Sequence, residues 1–167
     1  MQGPACAAAA QEDVERSLGK QLFERLLGVV LTDNGTEFCD TAEIEASAFG
    51  EDARCRACCC DVRQSQQKGA CERNHVELRK MLPKRRGVSF DDLDERDCAF
   101  VMSHVNSQPR PSLMGLSPLQ MLRAADPGAC EALEAALGME EIPFDELAPT
   151  LEAVNGQRRE RGLGPLA

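Results

Sequence analysis

The sequence contains no tryptophan, no tyrosine and only six phenylalanines among its 167 residues. Its core must therefore be aliphatic, built from leucine, valine, isoleucine, methionine and alanine. No run of about eighteen apolar residues is present, which excludes a membrane-spanning helix. The small, apolar start, MQGPACAAAA, lacks the basic residues of a signal peptide. We therefore expect an intracellular protein.

Nine cysteines are many for such a protein, and their odd number argues against a fully paired disulfide framework. Four of them lie within residues 55–60, where a CxxC spacing is typical of half a zinc site. A structural zinc site needs a second pair of ligands, and Cys71 and His75 are the only nearby candidates. We favour the alternative, in which RCRACCCDV is a buried strand and its thiols act as small apolar side chains.

Acidic residues outnumber basic ones, which gives a net charge of −9 and a pI of about 4.8. As an average, this charge argues against nucleic-acid binding. The distribution is uneven, however, because residues 54–86 contain ten basic and three acidic side chains. A basic segment in an acidic chain is typical of phosphate contacts, and equally of a solvated helix face.

Apolar periodicity and turn signals predict an α/β chain with very little β-structure. The expected elements of the first half are a helix over 12–27, a buried strand over 29–32, a short helix over 41–49, a strand over 54–60 and a helix over 70–82. Further helices are expected from Ser89 to the SQPRP segment at 107–111, from Ser117 to Ala125, and from Pro127 to Leu137 with Gly138 as C-cap. Residues 142–154 give a weaker helical signal, and the tail from Gly156 is expected to be disordered.

Two carboxylates lie where chemistry could occur. Asp33 follows the strand predicted at 29–32, at the carboxyl end where ligands usually bind in α/β sheets. Asp-Asn-Gly is also an ordinary way to end a strand. Glu72 lies at the start of the helix over 70–82, where a carboxylate is favourable without any function. Arg79 follows two turns later on the same face, so this pair is either a metal ligand beside a phosphate contact or two surface charges.

Six segments occur in the order TDNGTEF (32–38), QKGACERNH (67–75), ELRKMLPK (77–84), FDDL (90–93), MSHVNSQPRPSL (102–113) and SPLQML (117–122). In that order they resemble the corresponding blocks of insertion sequence 30 transposases. That family belongs to the DDE integrase superfamily, whose ribonuclease-H-like cores cut and join DNA. The resemblance covers about residues 15–150. It implies an α/β fold, an incomplete ribonuclease-H-like core over 12–125 with two parallel strands, and a C-terminal helical extension and tail over 126–167.

The resemblance also implies roles for the residues that match the motifs. Asp33 and Glu72 match the second and third acids of the catalytic triad, which holds two divalent cations, Mg²⁺ or Mn²⁺, for phosphoryl transfer. Arg79 matches a basic residue that positions terminal DNA. Asn74 is expected to support the site or contact the DNA backbone, whereas His75 is equally compatible with a core position. The further expected DNA contacts are Lys68, Arg73, Lys80 and Lys84.

The sequence departs from the family where the first catalytic aspartate is expected. Only 32 residues precede Asp33; they are predicted to be helical, and Glu12 and Asp13 in that helix cannot substitute. The first three strands and the family's DNA-binding region thus have no counterpart, which leaves the strand at 29–32 with an unpaired hydrophobic edge.

We therefore expect a transposase fragment that is inactive alone, located in the bacterial cytoplasm and on the nucleoid when bound to DNA. The expected partners are transposon ends and target DNA, a full-length transposase or a second copy of the chain, and no membrane. The first alternative is an interaction module that binds DNA or a transposase subunit without catalysis. The second is a marginal globular fragment with no present activity.

Overall fold

The computed structural model of the protein describes residues 4–32, 41–50, 52–60, 69–84 and 87–166. These residues are mostly helical and include two parallel strands. The chain divides into two compact units, Met1–Gly69 and Ala70–Ala167, which we call the N-terminal and C-terminal units. The sequence predicted a core over 12–125 with an extension from 126, whereas this division falls at the start of the helix after the second strand. None of the described helices is long and apolar enough to cross a bilayer.

The N-terminal unit begins with two helices, α1 (Pro4–Leu18) and α2 (Lys20–Leu27). A single helix over 12–27 was expected, but Gly19 divides it with a φ of 78°. Glycine reaches this left-handed region at little steric cost. The Gly19 N–H still donates to the Glu15 carbonyl at 2.8 Å, so the chain changes direction without unwinding α1. Apolar periodicity predicted the helical content here but not the break.

Both predicted strands are present, as β1 (Val29–Thr32) and β2 (Arg56–Cys59). They pair in parallel, with Val29 opposite Arg56 and Thr32 opposite Cys59. Between them in sequence lies α3 (Thr41–Glu45), which is shorter than the helix expected over 41–49. The chain leaves α3 through an antiparallel bridge between Ala46 and Ala53, and this bridge ends the helix early.

The sheet is covered on one face. Val30 and Ala57 pack there against a small buried cluster, which consists of Phe23, Ile44 and Cys55. On the other face Val29 and Leu31 are 68% and 45% exposed. The expectation of a buried strand over 29–32 is therefore wrong for this face, because the described helices of the unit pack on the opposite side. Parallel sheets are ordinarily covered on both faces, so this unit exposes apolar surface that its own described residues do not cover.

A buried ion pair joins distant parts of the N-terminal unit. The side chains of Arg54 and Glu15 are 2% and 0% exposed, and Arg54 Nη1 lies 3.6 Å from Glu15 Oε2. Arg54 also donates to three carbonyls, and Glu15 accepts from a hydroxyl and an amide; these partners are Ala8, Glu43, Ile44, Ser47 and Ala48. Buried charges need such partners. Arg54 thus belongs to the interior and not to a phosphate-binding surface.

The C-terminal unit is helical and its elements are bounded by local caps. Its helices are α4 (Gly69–Met81), α5 (Glu95–Ser107), α6 (Pro118–Ala125), α7 (Pro127–Leu137) and α8 (Leu151–Glu160), with 3₁₀ turns at Phe90–Asp92, Pro111–Leu113 and Phe144–Glu146. Ser117 caps α6 and Gly138 ends α7 with a φ of 62°, as predicted. The helix expected from Ser89 is instead divided, because Asp94 and Asp97 form a capping box that begins α5 after a separate turn.

The core of the C-terminal unit is aliphatic, as the composition predicted. Its buried members are Met81, Leu82, Val88, Val101, Val105, Leu151, Val154 and Leu166. They come from α4, α5 and α8 and from the segments that follow α4 and α8. One core therefore joins the first and last elements of this unit.

The C-terminal tail differs most from expectation. Disorder was expected from Gly156, yet α8 continues through this residue and Leu166 is buried. The Asn155 side chain donates to the Leu166 carbonyl and accepts from its N–H, at 3.3 and 2.7 Å. Arg158 of α8 forms an ion pair with buried Asp97 of α5. These partners are up to 61 positions apart, so local composition cannot reveal that they fix the tail.

Candidate nucleic-acid interface

Two of the predicted site residues, Asp33 and Lys68, lie outside the described residues. Thr32, which precedes Asp33 in the chain, is described and closes β1. Its hydroxyl is buried and lies 3.5 Å from the Cys59 sulfur of β2. The carboxyl end of β1 is thus fixed to its parallel neighbour directly before the predicted catalytic aspartate.

Glu72 lies in the first turn of α4 and is exposed. The free amide groups at a helix N-terminus stabilise a carboxylate at this position. The described residues contain no group of three or more histidine, cysteine, aspartate or glutamate side chains that could hold a metal ion. Glu72 is the single predicted ligand among them, and one carboxylate does not hold two divalent cations.

The cysteine-rich segment forms a strand with thiols in different environments. Cys55 and Cys60 are buried, Cys58 is half-buried and Cys59 is exposed. Burial raises the pKa of the Cys55 thiol, which keeps it protonated and unreactive. Cys58 and Cys59, as neighbours on β2, point to opposite faces of the sheet. We expected the thiols of a buried strand to act as apolar side chains. This description fits Cys55 and Cys60, which are buried and flank β2, but not Cys59, which is exposed within it.

Arg79 stabilises the C-terminal end of α4. Its Nη1 donates to the Leu82 carbonyl at 3.1 Å, and its guanidinium carbon lies 4.4 Å from the centre of the Phe90 ring. A cation is favourable beside the last carbonyls of a helix, and the ring contact adds a cation–π interaction. Arg79 therefore joins α4 to the following turn. Because a guanidinium has five N–H donors, these contacts leave donors for a phosphate.

The other described cations of α4 and its C-terminal end are accessible. Arg73, Lys80 and Lys84 are exposed. Lys80 Nζ lies 2.5 Å from Glu77 Oε2, but an exposed pair of this kind contributes little to stability. A phosphate could therefore replace Glu77 as the partner of Lys80 at small cost.

Asn74 has a structural partner that the sequence did not reveal. Its Oδ1 accepts a hydrogen bond from Arg110 Nη1 at 2.8 Å. The backbone N–H of Arg110 donates to the Leu116 carbonyl, so the same residue closes the loop before α6. Asn74 thus links α4 to the segment after α5. The two residues are 36 positions apart, and no local pattern predicts their contact.

An open groove of about 890 Å³ lies beside the C-terminal half of α4. The cations in its lining were identified from the sequence, but its apolar lining was missed: Val76 and Phe90 are 60% and 50% exposed. His75 also lines the groove and is exposed, so the expectation that it could be a core histidine is wrong. The remaining lining includes Arg79, Lys80, Pro83 and Lys84.

The groove combines positive charge with apolar surface. Residues 72–90 contain six basic and two acidic side chains, in a chain that is acidic as a whole. Opposite charge at such a surface speeds association and selects partners. The groove therefore suits a ligand with phosphate or carboxylate groups, and its exposed apolar residues suit one that also has an apolar part.

Comparisons with known proteins identify no relative, since no family model, no curated protein and no solved structure matches the chain.

Proposed function

We propose that this chain is a fragment of the catalytic core of a DDE transposase, which binds DNA through the basic side of α4 and catalyses little by itself. The observation that carries the proposal is the order of elements: α2, β1, α3, β2 and α4 follow one another, with β1 parallel to β2. Asp33 follows β1 and Glu72 lies in the first turn of α4. The proposal includes the finer fold, an incomplete ribonuclease-H-like core.

In this proposal Asp33 and Glu72 are the ligands of Mg²⁺ or Mn²⁺. When bound in a complete site, such cations activate a water or a 3′-hydroxyl and stabilise the leaving oxygen. Two carboxylates hold two cations poorly, and the match to the first acid of the triad is missing. We therefore expect weak metal binding and no strand transfer by the isolated chain.

Metal binding and DNA joining test the catalytic part. Glu72→Gln should weaken Mn²⁺ binding measured by titration calorimetry, because it removes a charged oxygen ligand. Glu95→Gln is the matched control, since Glu95 is also an exposed glutamate in the first turn of a helix. Incubation with double-stranded DNA and Mg²⁺ should give no joined product. Robust joining that disappears in the Glu72→Gln variant would show a complete active site and contradict this part of the proposal.

Salt dependence tests the DNA-binding part. Binding to phosphates releases counterions, so the logarithm of the binding constant should fall linearly with the logarithm of salt concentration, by about 0.9 per phosphate contact. Lys84→Gln should reduce that slope by about 1 when binding is followed by fluorescence anisotropy. Arg159→Gln removes an exposed cation of α8 and should leave the slope unchanged. An absence of DNA binding at low salt would overturn the proposed interface.

The second candidate is an interaction module without catalysis, which binds a transposase subunit or DNA. The exposed apolar residues of the groove, Val76 and Phe90, favour a protein partner, because contact with a phosphate backbone does not require them. Val76→Ser separates the candidates. It should leave DNA binding unchanged if DNA alone uses α4, and it should weaken binding of a protein partner in the groove.

A further inference from the structure

The connection between α7 and α8 carries an exposed aromatic side chain among acidic residues. Residues 140–147, EEIPFDEL, contain four acidic and no basic side chains, and we call them the acidic segment. Phe144 at its centre begins a 3₁₀ turn and is 78% exposed. A single exposed apolar residue is ordinary at a protein surface, so its surroundings must decide whether this one has a role.

The backbone of the acidic segment and of Ala148, which follows it, is held on α5. The N–H groups of Glu140 and Ile142 donate to the hydroxyls of Ser103 and Ser107, at 3.0 and 2.9 Å. The N–H of Ala148 donates to His104 Nδ1 at 3.4 Å; the accepting side chains, Ser103, His104 and Ser107, are buried. Phe144 is therefore presented outwards from an anchored turn. Little conformational entropy is lost when an aromatic presented in this way binds a partner.

The groove beside α4 has complementary properties and lies in the same unit. It offers exposed lysines together with an apolar wall that includes Val76 and Phe90. We propose that the acidic segment of one copy binds in the groove of a second copy, with Phe144 against the apolar wall. Asp145 and Glu146, both exposed, then lie near the lysines. Charge complementarity of this kind sets the register and the rate of association.

The contact joins two copies and not two parts of one chain. Phe144 and Val76 each retain more than half of their exposure within the single chain, so neither covers the other there. The proposed contact is heterologous, so that a dimer keeps one free acidic segment and one free groove; a two-fold dimer would instead use both segment–groove pairs at once. Heterologous association therefore continues beyond the dimer, to a ring or an open chain, as concentration rises.

Sedimentation velocity of the full chain, at rising protein concentration and without DNA, tests the contact. We expect the average mass to increase with concentration and to fall when salt screens the charges. Phe144→Ser and Lys84→Glu should each weaken association at least about tenfold. Both changed side chains are exposed, so the variants should keep the circular dichroism spectrum of the unchanged chain.

Mixing the two variants gives the decisive result. Phe144→Ser retains a normal groove and Lys84→Glu retains a normal acidic segment, so an equal mixture should form dimers that grow no further. Met114→Ala is the control, because Met114 is 85% exposed in the same unit and has no acidic neighbours in sequence; this variant should associate like the unchanged chain.

Three results would overturn the proposal. They are a monomer at every concentration, a mixture of the two variants that stays monomeric, and a Lys84→Glu variant that loses DNA binding but associates normally. The last result would show that DNA and not a second copy occupies the groove. The test does not depend on transposase ancestry, since it uses no DNA and no metal in its main measurement.

Discussion

The N-terminal and C-terminal units are stabilised in different ways. The N-terminal unit has three buried residues in its apolar cluster and a buried ion pair between residues 39 positions apart, Arg54 and Glu15. The C-terminal unit has eight buried residues in its cluster, and several of its helices begin at a local side-chain cap. Local caps thus set where several helices of the second unit begin, although its Asp97–Arg158 pair also joins distant residues. The first unit differs in that both side chains of its ion pair are fully buried beside a small apolar cluster.

The same difference is seen in the surfaces of the two units. Val29 and Leu31 in the sheet of the N-terminal unit are exposed. A two-stranded sheet also has little stability of its own. In the C-terminal unit three of the exposed apolar residues, Val76, Phe90 and Phe144, lie among charged residues. A partner is therefore expected to stabilise the first unit by covering its sheet, and to recognise the second by charge and shape.

The largest expected effect comes from breaking the buried pair of the N-terminal unit. Arg54→Met leaves Glu15, which is 0% exposed, without its cation. Removal of one partner of a buried ion pair typically costs about 3–5 kcal/mol. Urea unfolding combined with amide hydrogen exchange should show the loss in α1–α3 and leave α5 protected.

The control for that experiment is Arg16→Met. Arg16 forms an exposed pair with Glu12 at 2.6 Å within α1, and pairs of this kind contribute about 0.3–0.5 kcal/mol. If both variants lost the same small amount, the N-terminal unit would not depend on its buried pair, and the contrast between the units would fail.

A smaller effect is expected from the polar contact that holds the tail of the C-terminal unit. Asp97→Asn removes the carboxylate that pairs with Arg158 and Arg161. Hydrogen bonds to charged groups contribute about 1.5–3 kcal/mol, and both arginines are partly exposed, so water can replace part of the contact. Hydrogen exchange of α8 should rise more than that of α6. Glu160→Gln, at an exposed position of α8, is the control and should leave the hydrogen exchange of both α8 and α6 unchanged.

The sequence predicted elements whose signals are local. Ser117 with its following proline marked the start of α6, and Gly138 at the end of an apolar run marked the end of α7, because a cap and its helix end lie within one turn of each other. The strand at 29–32 was found for the same reason. The burial of this strand was predicted wrongly. The exposure of Val29 and Leu31 depends on which elements cover the sheet, and the sequence of the strand itself does not determine this.

For the candidate site, the sequence identified residues but not their partners. Periodicity and motif order picked out Glu72, Arg79, Lys80 and Lys84. Glu72 and Lys80 are exposed on α4 and Lys84 is exposed after its end, whereas Arg79 is half-buried. The partner of Asn74 was missed, because Arg110 is distant in sequence. The apolar wall of the groove was missed for another reason: Val76 belongs to no motif, and its exposure follows from the way α4 packs.

The smallest expected effect concerns a buried histidine of the C-terminal unit. His104 is 4% exposed, its ring lies edge-on to Phe100 with 4.5 Å between centroids, and its Nδ1 accepts from the Ala148 N–H. Burial lowers the pKa of His104, and the nearby charge of Glu140 opposes that change. The folded state therefore favours the neutral ring, which is also the form that accepts this hydrogen bond.

A lowered pKa in the folded state determines how this unit responds to acid. As pH falls through about 6.5, the unfolded chain protonates His104 while the folded chain resists, so the unfolded state binds more protons and stability decreases until the folded pKa is reached. The slope from one such group is at most about 1.4 kcal/mol per pH unit.

His104→Gln should flatten the dependence of the unfolding free energy on pH between 7 and 5, whereas His75→Gln, at an exposed position, should retain it. As pH falls, hydrogen exchange should increase first in residues 140–148 and should not increase in α1–α3. Equal acid sensitivity of both units would show that His104 does not cause the pH dependence.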